Sequence, residues 1–241
     1  MSSLTLAVDS SSDTLAVALL DQDKVLIDLH MALSQPHSQN LMNAVDWILN
    51  QAAVDSSHIE KLAVCRGPGA FSGLRIGIAS LQGLAQALNK PLYTFIGHDL
   101  IAVKFAYLTG DIAILTDARR QQVYWSLYHS DGRSLTRLTP CRVDGPAALA
   151  TLLPKSDTLL AGSGVEVFKD DLSRLLPAAI RLEIPHARPD LAFIAGLPLI
   201  DDENDNRIGL HPATESFEPL YVRASDAEIN RLKKMSGKVD G

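Results

Sequence analysis

Apolar residues in the first part of the chain occur in short continuous runs whose lengths predict buried strands. Three such runs cover residues 4–8, 14–20 and 25–29, and turn-forming residues at 10–13 and 21–24 separate them. Because both connections are short, we expect these strands to form an antiparallel meander.

Two helices and two more strands are predicted next. In residues 37–53, introduced by Pro36, apolar positions recur at spacings of three and four, which is typical of an amphipathic helix. An apolar run at 62–65 predicts a strand, and the helical pattern after it continues to about Asn89. A strand at 91–95 then completes a β-β-β-α-β-α-β unit, with the two helices expected to pair on one face of the sheet.

A glycine-rich stretch joins the fourth strand to the second helix, and it reads Gly67-Pro68-Gly69-Ala70-Phe71-Ser72-Gly73-Leu74-Arg75-Ile76-Gly77. Glycine inside a helix costs about 1 kcal/mol relative to alanine, so Gly73 and Gly77 must gain something from a missing side chain. With Ser80 they form a face of small side chains that another backbone could approach closely.

Two interpretations of this stretch stay open. The N–H groups at a helix start attract anions, but the Gly-Lys-Ser/Thr ending of a nucleotide P-loop is missing. The small face could instead pack, either against the chain's own sheet or against a second protein. We favour packing.

A second unit begins at residue 112 and repeats the opening pattern. A strand at 112–115 is followed by a turn that contains Asp117, Arg119 and Arg120, and then by a strand at 123–128. This strand, Asp-bearing turn and strand resemble the hairpin at Asp9 and suggest an internal duplication. Arginines stand where a phosphate-binding turn would carry glycine.

The rest of the second unit is less regular. Residues 158–161 predict a strand that leads into a turn with Gly162 and Gly164, and 191–199 predict a short helix in this unit. The acidic residues 201–206 lack the ligand spacing of a calcium loop and are interpreted as a solvated loop.

These patterns divide the chain into an N-terminal lobe, 1–104, which carries the dimerisation helices, a C-terminal lobe, 105–223, and a flexible tail, 224–241.

Composition limits the possible functions. The chain has 241 residues, a net charge of −6 and a pI near 5.6, which is the wrong sign for gripping nucleic acid unaided. Cys65 and Cys141 have no paired spacing, which argues against a zinc site or a disulfide and suits a reducing cytosol. No signal peptide or membrane span is predicted. We therefore expect a cytoplasmic protein without membrane contact.

The glycine-rich stretch closely resembles Gly-Pro-Gly-Ser-Phe-Thr-Gly-Leu-Arg-Ile-Gly, the signature of the TsaB (YeaZ) family of tRNA threonylcarbamoyladenosine biosynthesis proteins. The match extends from the Asp9 strand to the segment Pro219-Leu220-Tyr221-Val222-Arg223. The resemblance implies an α/β fold of two actin-like (ribonuclease H-like) lobes, each a mixed sheet with flanking helices, in the superfamily of sugar kinases and Hsp70-type ATPases.

The resemblance also implies a function and partners. The chain would be a non-catalytic subunit that binds and activates the transferase TsaD, with the ATPase TsaE joining through the complex and tRNA contacted only indirectly. TsaD would modify the adenosine beside the anticodon. Alone, the chain would form a homodimer through the surface that it would otherwise use to bind TsaD. The contact residues expected on the paired helices are Leu41, Val45, Ile48, Gly73, Ile76, Gly77 and Ser80.

Two other functions remain as alternatives. An ATP-dependent small-molecule kinase on this fold would use a nucleotide site of which Asp9, Ser10, Asp117, Gly162 and Gly164 are the remnants. A weaker version places ATP or ADP at the interface with the partner.

A metallopeptidase is the other alternative, because His98 resembles the first histidine of the His-x-x-x-His metal pair in TsaD. Ala102 stands where the second ligand would be. We therefore expect no metal, no cofactor and no catalytic residue in this chain.

Overall fold

Two six-stranded sheets form the framework of this protein, for which we obtained a computed structural model. The structure describes residues 3–32, 37–154, 157–176, 182–184, 187–201, 207–213 and 217–223. The predicted tail, 224–241, and most of the acidic loop, 202–206, lie outside the described residues.

The first lobe has the predicted order of elements. It comprises β1 (Leu4–Asp9), β2 (Thr14–Asp21), β3 (Lys24–Ala32), α1 (His37–Gln51), β4 (Ile59–Cys65), α2 (Phe71–Leu88), β5 (Leu92–Phe95) and α3 (Gly97–Val103). A two-residue strand from the C-terminal part, β12 (His211–Pro212), pairs with the outer edge of β5. The sheet order is β12-β5-β4-β1-β2-β3.

The second lobe is built from shorter elements. They are β6 (Thr109–Asp117), β7 (Val123–Asp131), β8 (Leu135–Arg137), β9 (Arg142–Asp144), α4 (Pro146–Leu152), β10 (Thr158–Ala161), α5 (Ser163–Val167), α6 (Lys169–Leu175) and β11 (Leu182–Ile184). The sheet order is β11-β10-β6-β7-β8, and β9 also pairs with β7.

The two sheets repeat one topology, as the sequence duplication predicted. In each, the first strand pairs antiparallel with the second and parallel with the strand that follows a helix: β1 with β2 and β4, and β6 with β7 and β10. The last strand of each unit, β5 or β11, is added parallel at the far side. The Asp9 and Asp117 turns therefore occupy equivalent places.

Each sheet is covered on both faces, which explains why the central strands read as continuous apolar runs rather than alternating ones. In the first lobe, α1 and α2 pair on one face, as predicted, and share a core with β1, β2 and β4. The opposite face packs against α3 and a 3-10 helix, Leu191–Gly196. In the second lobe, α4 to α6 cover one face and α3 covers the other.

The C-terminal part of the chain returns to the first lobe. The helix predicted over 191–199 exists as the 3-10 helix, but it lies on the first sheet and not in the second unit, which corrects that expectation. Residues 211–212 extend the first sheet, and Leu220 bonds to the backbone of Arg66. The predicted lobe 105–223 thus includes a stretch that packs on the other sheet. No helix within the described ranges combines the length and apolarity that a membrane crossing needs.

Candidate functional site

The first half of the β1–β2 turn, Asp9 to Ser11, is buried and forms hydrogen bonds within the chain. The Asp9 side chain is 4% exposed, and its Oδ1 accepts a hydrogen bond from the Ser11 N–H at 2.8 Å. This is the Asx geometry of a tight turn. The Ser10 hydroxyl donates to the carbonyl of Gly73 at 2.9 Å, so it ties the turn to α2. Both predicted nucleotide-site residues are used by the fold itself.

The helix glycines make room for this turn. A Cβ on Gly77 would lie 2.2 Å from Ser10 Oγ, and one on Gly69 would lie 2.2 Å from the Ser11 carbonyl oxygen. Real Cβ atoms do not approach that closely. An alanine at Gly69 would therefore displace backbone, and one at Gly77 would displace the Ser10 hydroxyl. The small residues therefore pack against the chain's own β1–β2 turn, which is the first of the two packing partners considered above.

Most of the predicted contact residues are therefore not on a surface, which corrects that expectation. Burial in the first-lobe core removes five of the seven from contact with a partner: Leu41, Val45, Ile48, Gly73 and Gly77. These five residues belong to the apolar or small face of each helix, and that face covers the sheet. Ile76 and Ser80 remain half-buried at the side of α2.

The exposed faces of the two helices carry different residues. Met42 and Trp47 on α1 are 44% and 48% exposed. On α2, Ala79 and Gly83 are exposed, and a Cβ on Gly83 would meet nothing within 4 Å. Sequence reasoning missed Met42 and Trp47 because it followed the apolar stripe. Large apolar residues off that stripe were the available signal.

The start of α2 is covered and does not resemble an anion site. The Ala70 N–H donates to the Ser11 carbonyl at 2.7 Å, and the space beside Gly67 is filled by Leu220, whose Cβ would be 3.3 Å from a Cβ there. Ala70 occupies the N-cap position and no side chain caps the helix. Ser72 lies inside the first turn of the helix and is exposed.

The β6–β7 turn repeats the Asx geometry but faces solvent. Asp117 Oδ1 accepts from the Arg119 N–H at 2.7 Å, and Oδ2 lies 3.2 Å from the Arg119 guanidinium. Three consecutive residues, Arg119, Arg120 and Gln121, have left-handed φ angles of 61°, 53° and 60°. Glycine would adopt this backbone at lower cost, so the arginines hold a strained turn.

Gly162 and Gly164 also serve internal packing. Gly162 has a φ of 109°, and a Cβ there would lie 2.2 Å from the Leu115 carbonyl oxygen. A Cβ on Gly164 would lie 3.0 Å from the Leu115 carbonyl carbon. The space opened by these glycines, where an adenosine would need it, is thus filled by the end of β6.

His98 lies buried between the lobes and is held by two hydroxyl groups. Its Nδ1 is 2.9 Å from Ser126 Oγ and its Nε2 is 2.9 Å from Thr116 Oγ1. Burial, reinforced by the charge of Arg137, lowers the pKa of His98 to about 3, so the ring is neutral. Both nitrogens already have protein partners. Within the described ranges, no three His, Cys, Asp or Glu side chains gather as metal ligands.

A buried ion pair next to His98 was not anticipated. Arg137 on β8 forms a bidentate pair with Asp99, and the Tyr128 hydroxyl donates to Asp99 Oδ1 at 2.7 Å. Burial raises the pKa of Asp99, and Arg137 and Tyr128 oppose that rise. Together with His98, this cluster fastens α3 to the second sheet. Nothing in the local pattern of residues 97–103 marks Asp99 as buried, because its partners lie 29 and 38 residues away.

Comparison with known proteins gives consistent matches. The family model described as TsaD, tRNA N6-adenosine threonylcarbamoyltransferase, matches residues 31–188. The tRNA threonylcarbamoyladenosine biosynthesis protein TsaB of Escherichia coli is 33% identical, over 97% of this chain and 98% of that protein. The TsaB of Bacillus subtilis is 34% identical, over 56% of this chain and 59% of that protein.

A solved structure agrees with these relatives. YeaZ from Pseudomonas aeruginosa superposes with a TM-score of 0.66 at 29% identity, covering 80% of this chain and 91% of that one. The predicted α/β fold, with two lobes that each contain a mixed sheet and flanking helices, is confirmed. The chain therefore belongs to the TsaB (YeaZ) family of tRNA threonylcarbamoyladenosine biosynthesis proteins.

Proposed function

We propose that this chain serves tRNA threonylcarbamoyladenosine formation as a non-catalytic subunit that binds and activates the transferase TsaD. The observation that carries the proposal is that the candidate nucleotide and metal positions are occupied by bonds within the chain. Asp9 and Asp117 each accept a hydrogen bond from a backbone N–H of their own turn. The two ring nitrogens of His98 are bonded to the hydroxyl groups of Ser126 and Thr116. Each Asx bond orients its carboxylate within its own turn, and both His98 nitrogens already have hydroxyl partners, which supports a structural role for these groups.

The contact with TsaD is proposed on the outward faces of α1 and α2. Met42 and Trp47 on α1 leave about half of their apolar surface in water, and tryptophan is a frequent anchor of protein interfaces. Ala79 and Gly83 on α2 offer a low surface that a partner helix could approach. Ile76 and Ser80, from the sequence prediction, border this surface.

The same surface is proposed to join two copies of the chain when TsaD is absent. Covering Trp47 and Met42 is favourable with either partner, so the homodimer and the complex with TsaD would compete. TsaE would join through TsaD. A net charge of −6 gives this chain little attraction for phosphate, so tRNA is proposed to be held by the partners.

The experiment is reconstitution of tRNA modification from purified TsaD and TsaE, with and without this chain, alongside pull-down of TsaD. Trp47→Asp places a charge in the proposed interface and should abolish both pull-down and stimulation. Val167→Asp is the matched control, because Val167 is an apolar residue, 55% exposed, on the second lobe. It should behave as the unaltered chain does.

Two results would contradict the proposal. Full stimulation of tRNA modification by Trp47→Asp would show that the contact with TsaD does not lie on these helices. Turnover of ATP by the isolated chain, lost in Asp117→Asn, would favour the kinase alternative instead.

A further inference from the structure

The C-terminal segment 217–223 contacts both lobes, and the proposed function gives it no role. Phe217 packs against the first-lobe core, and the Leu220 N–H donates to the Arg66 carbonyl at 2.7 Å. At the other end, Arg223 Nη1 donates to the Ala118 carbonyl at 2.6 Å. Arg66 precedes the glycine-rich turn of the first lobe, and Ala118 belongs to the β6–β7 turn of the second.

The first-lobe end is anchored by interlocking side chains. The Tyr221 ring stacks on Phe71 with centroids 4.5 Å apart. Arg75 lies over the same Phe71 ring, 3.9 Å from its centroid, and its Nε donates to the Tyr221 hydroxyl at 3.0 Å. Because Phe71 is the first residue of α2, this anchor fixes the segment to the start of that helix.

Gly67 allows the backbone of Leu220 to approach closely at the first-lobe end of the segment. It has a φ of 128°, and a Cβ on it would lie 3.2 Å from the Leu220 carbonyl oxygen. The glycine-rich stretch and the Pro219–Arg223 motif, far apart in the sequence, are therefore two halves of one contact.

The second-lobe end is a charge-assisted hydrogen bond to a strained turn. The Ala118 carbonyl immediately precedes the three left-handed residues at 119–121. Such a backbone persists where surrounding contacts enforce it. The turn's internal bonds run from Ala118 N–H to the Gln122 carbonyl at 3.0 Å and from Gln122 N–H to the Arg119 carbonyl at 3.1 Å. Arg223 adds a contact from outside the turn.

We infer that residues 217–223 form a strap that holds the two lobes in one fixed orientation, by tying the start of α2 to the β6–β7 turn. The buried cluster around His98 and Asp99 is a first attachment between the lobes, through α3. The apolar residues of α3 add to this attachment, because Leu100 packs in the first-lobe core and Ile101 in the second. A further attachment at a distance from α3 restricts rotation of one lobe relative to the other. The inference goes beyond the proposed function and does not depend on TsaD.

The test uses the full-length chain without partners. Residual dipolar couplings measured by NMR show whether both lobes share one alignment, and amide exchange reports on the two anchors. The unaltered chain should show one alignment. In Arg223→Met the couplings of the two lobes should no longer fit one alignment as closely, and amide exchange at Leu220 and Gln122 should accelerate about tenfold or more. Arg223→Lys retains a charged donor and should restore part of the protection.

Arg174→Met is the matched control, since Arg174 is an exposed arginine on α6 whose ion pair with Asp171 stays within that helix. It should leave both readouts unchanged. Unchanged alignment and exchange in the double variant Tyr221→Ala, Arg223→Met would overturn the strap. Acceleration spread equally over all amides would also overturn it, because that result indicates general destabilisation rather than a released attachment.

Discussion

The β1–β2 and β6–β7 turns occupy equivalent places in the two lobes but differ in composition and exposure. The first is short and serine-rich, and its first half lies buried beneath α2, where the Ser10 hydroxyl donates to the Gly73 carbonyl. The second exposes Arg119 and Arg120 on a left-handed backbone. The first turn thus buries Ser10 and Ser11, whereas Arg119 and Arg120 of the second turn are exposed to solvent.

The two turns nevertheless share one hydrogen-bonding geometry. Each strand ends in an aspartate whose Oδ1 accepts from the N–H two residues later, at 2.8 Å for Asp9 and 2.7 Å for Asp117. Each lobe also has a glycine whose Cβ would lie 2.2 Å from a carbonyl oxygen: Gly69 against Ser11, and Gly162 against Leu115. The duplication has kept what the fold requires, whereas the exposed surface of the two turns has diverged.

The largest expected effect follows from these shared glycines. Gly69→Ala and Gly162→Ala each force a backbone apart, and Gly162 also has a left-handed φ, so each should lower the free energy of unfolding by more than about 3 kcal/mol. Denaturant titration measures this. Gly83→Ala is the control, since its Cβ meets nothing within 4 Å; it should stabilise by about 1 kcal/mol. Tolerance of alanine at Gly69 would refute the close approach.

Acid should destabilise the fold through His98, which is bonded next to the second turn. His98 bonds to Thr116, which directly precedes Asp117, and its pKa is lowered to about 3 in the fold against 6.5 in the unfolded chain. The unfolded chain therefore takes up a proton that the folded chain refuses. Stability is fully present above pH 6.5 and falls as pH drops towards 3, by about 1.4 kcal/mol per pH unit.

The measurement is the unfolding free energy between pH 7 and pH 4.5, for the unaltered chain and for His98→Gln. As pH falls, the unaltered chain should lose about 1.4 kcal/mol of unfolding free energy per pH unit more than His98→Gln does. This difference between the two slopes separates the contribution of His98 from that of the nearby Asp99. Parallel slopes would show that His98 titrates normally.

A steric conflict unique to the first turn gives the next effect. Gly77→Ala places a Cβ 2.2 Å from Ser10 Oγ but 3.4 Å from Ser10 Cβ. The single variant should lose about 1–3 kcal/mol of stability. Adding Ser10→Ala removes the conflicting oxygen and should recover part of that loss, although the bond to Gly73 goes with it. A double-mutant cycle that is strictly additive would contradict this contact.

Sequence reasoning found the order of elements, the pairing of α1 with α2 and the duplicated turns, because apolar runs and helical spacing are local signals. It misplaced Leu41, Val45 and Gly77, since the apolar face that marks a helix is the face that covers its own sheet. It also missed the Asp99–Arg137 pair, which depends on residues 38 apart in the sequence. Burial of a polar residue by distant elements leaves no local pattern.

The smallest effect concerns the two aspartates themselves. Asparagine retains the Oδ1 acceptor, so Asp9→Asn and Asp117→Asn should keep the Asx turns. Asp117→Asn also loses the exposed ion pair with Arg119, which is worth at most about 1 kcal/mol. If the chain has the proposed non-catalytic role, reconstituted tRNA modification should be retained in both variants. Loss of modification in Asp9→Asn, with the fold intact, would mean that the buried turn carries a function its geometry conceals.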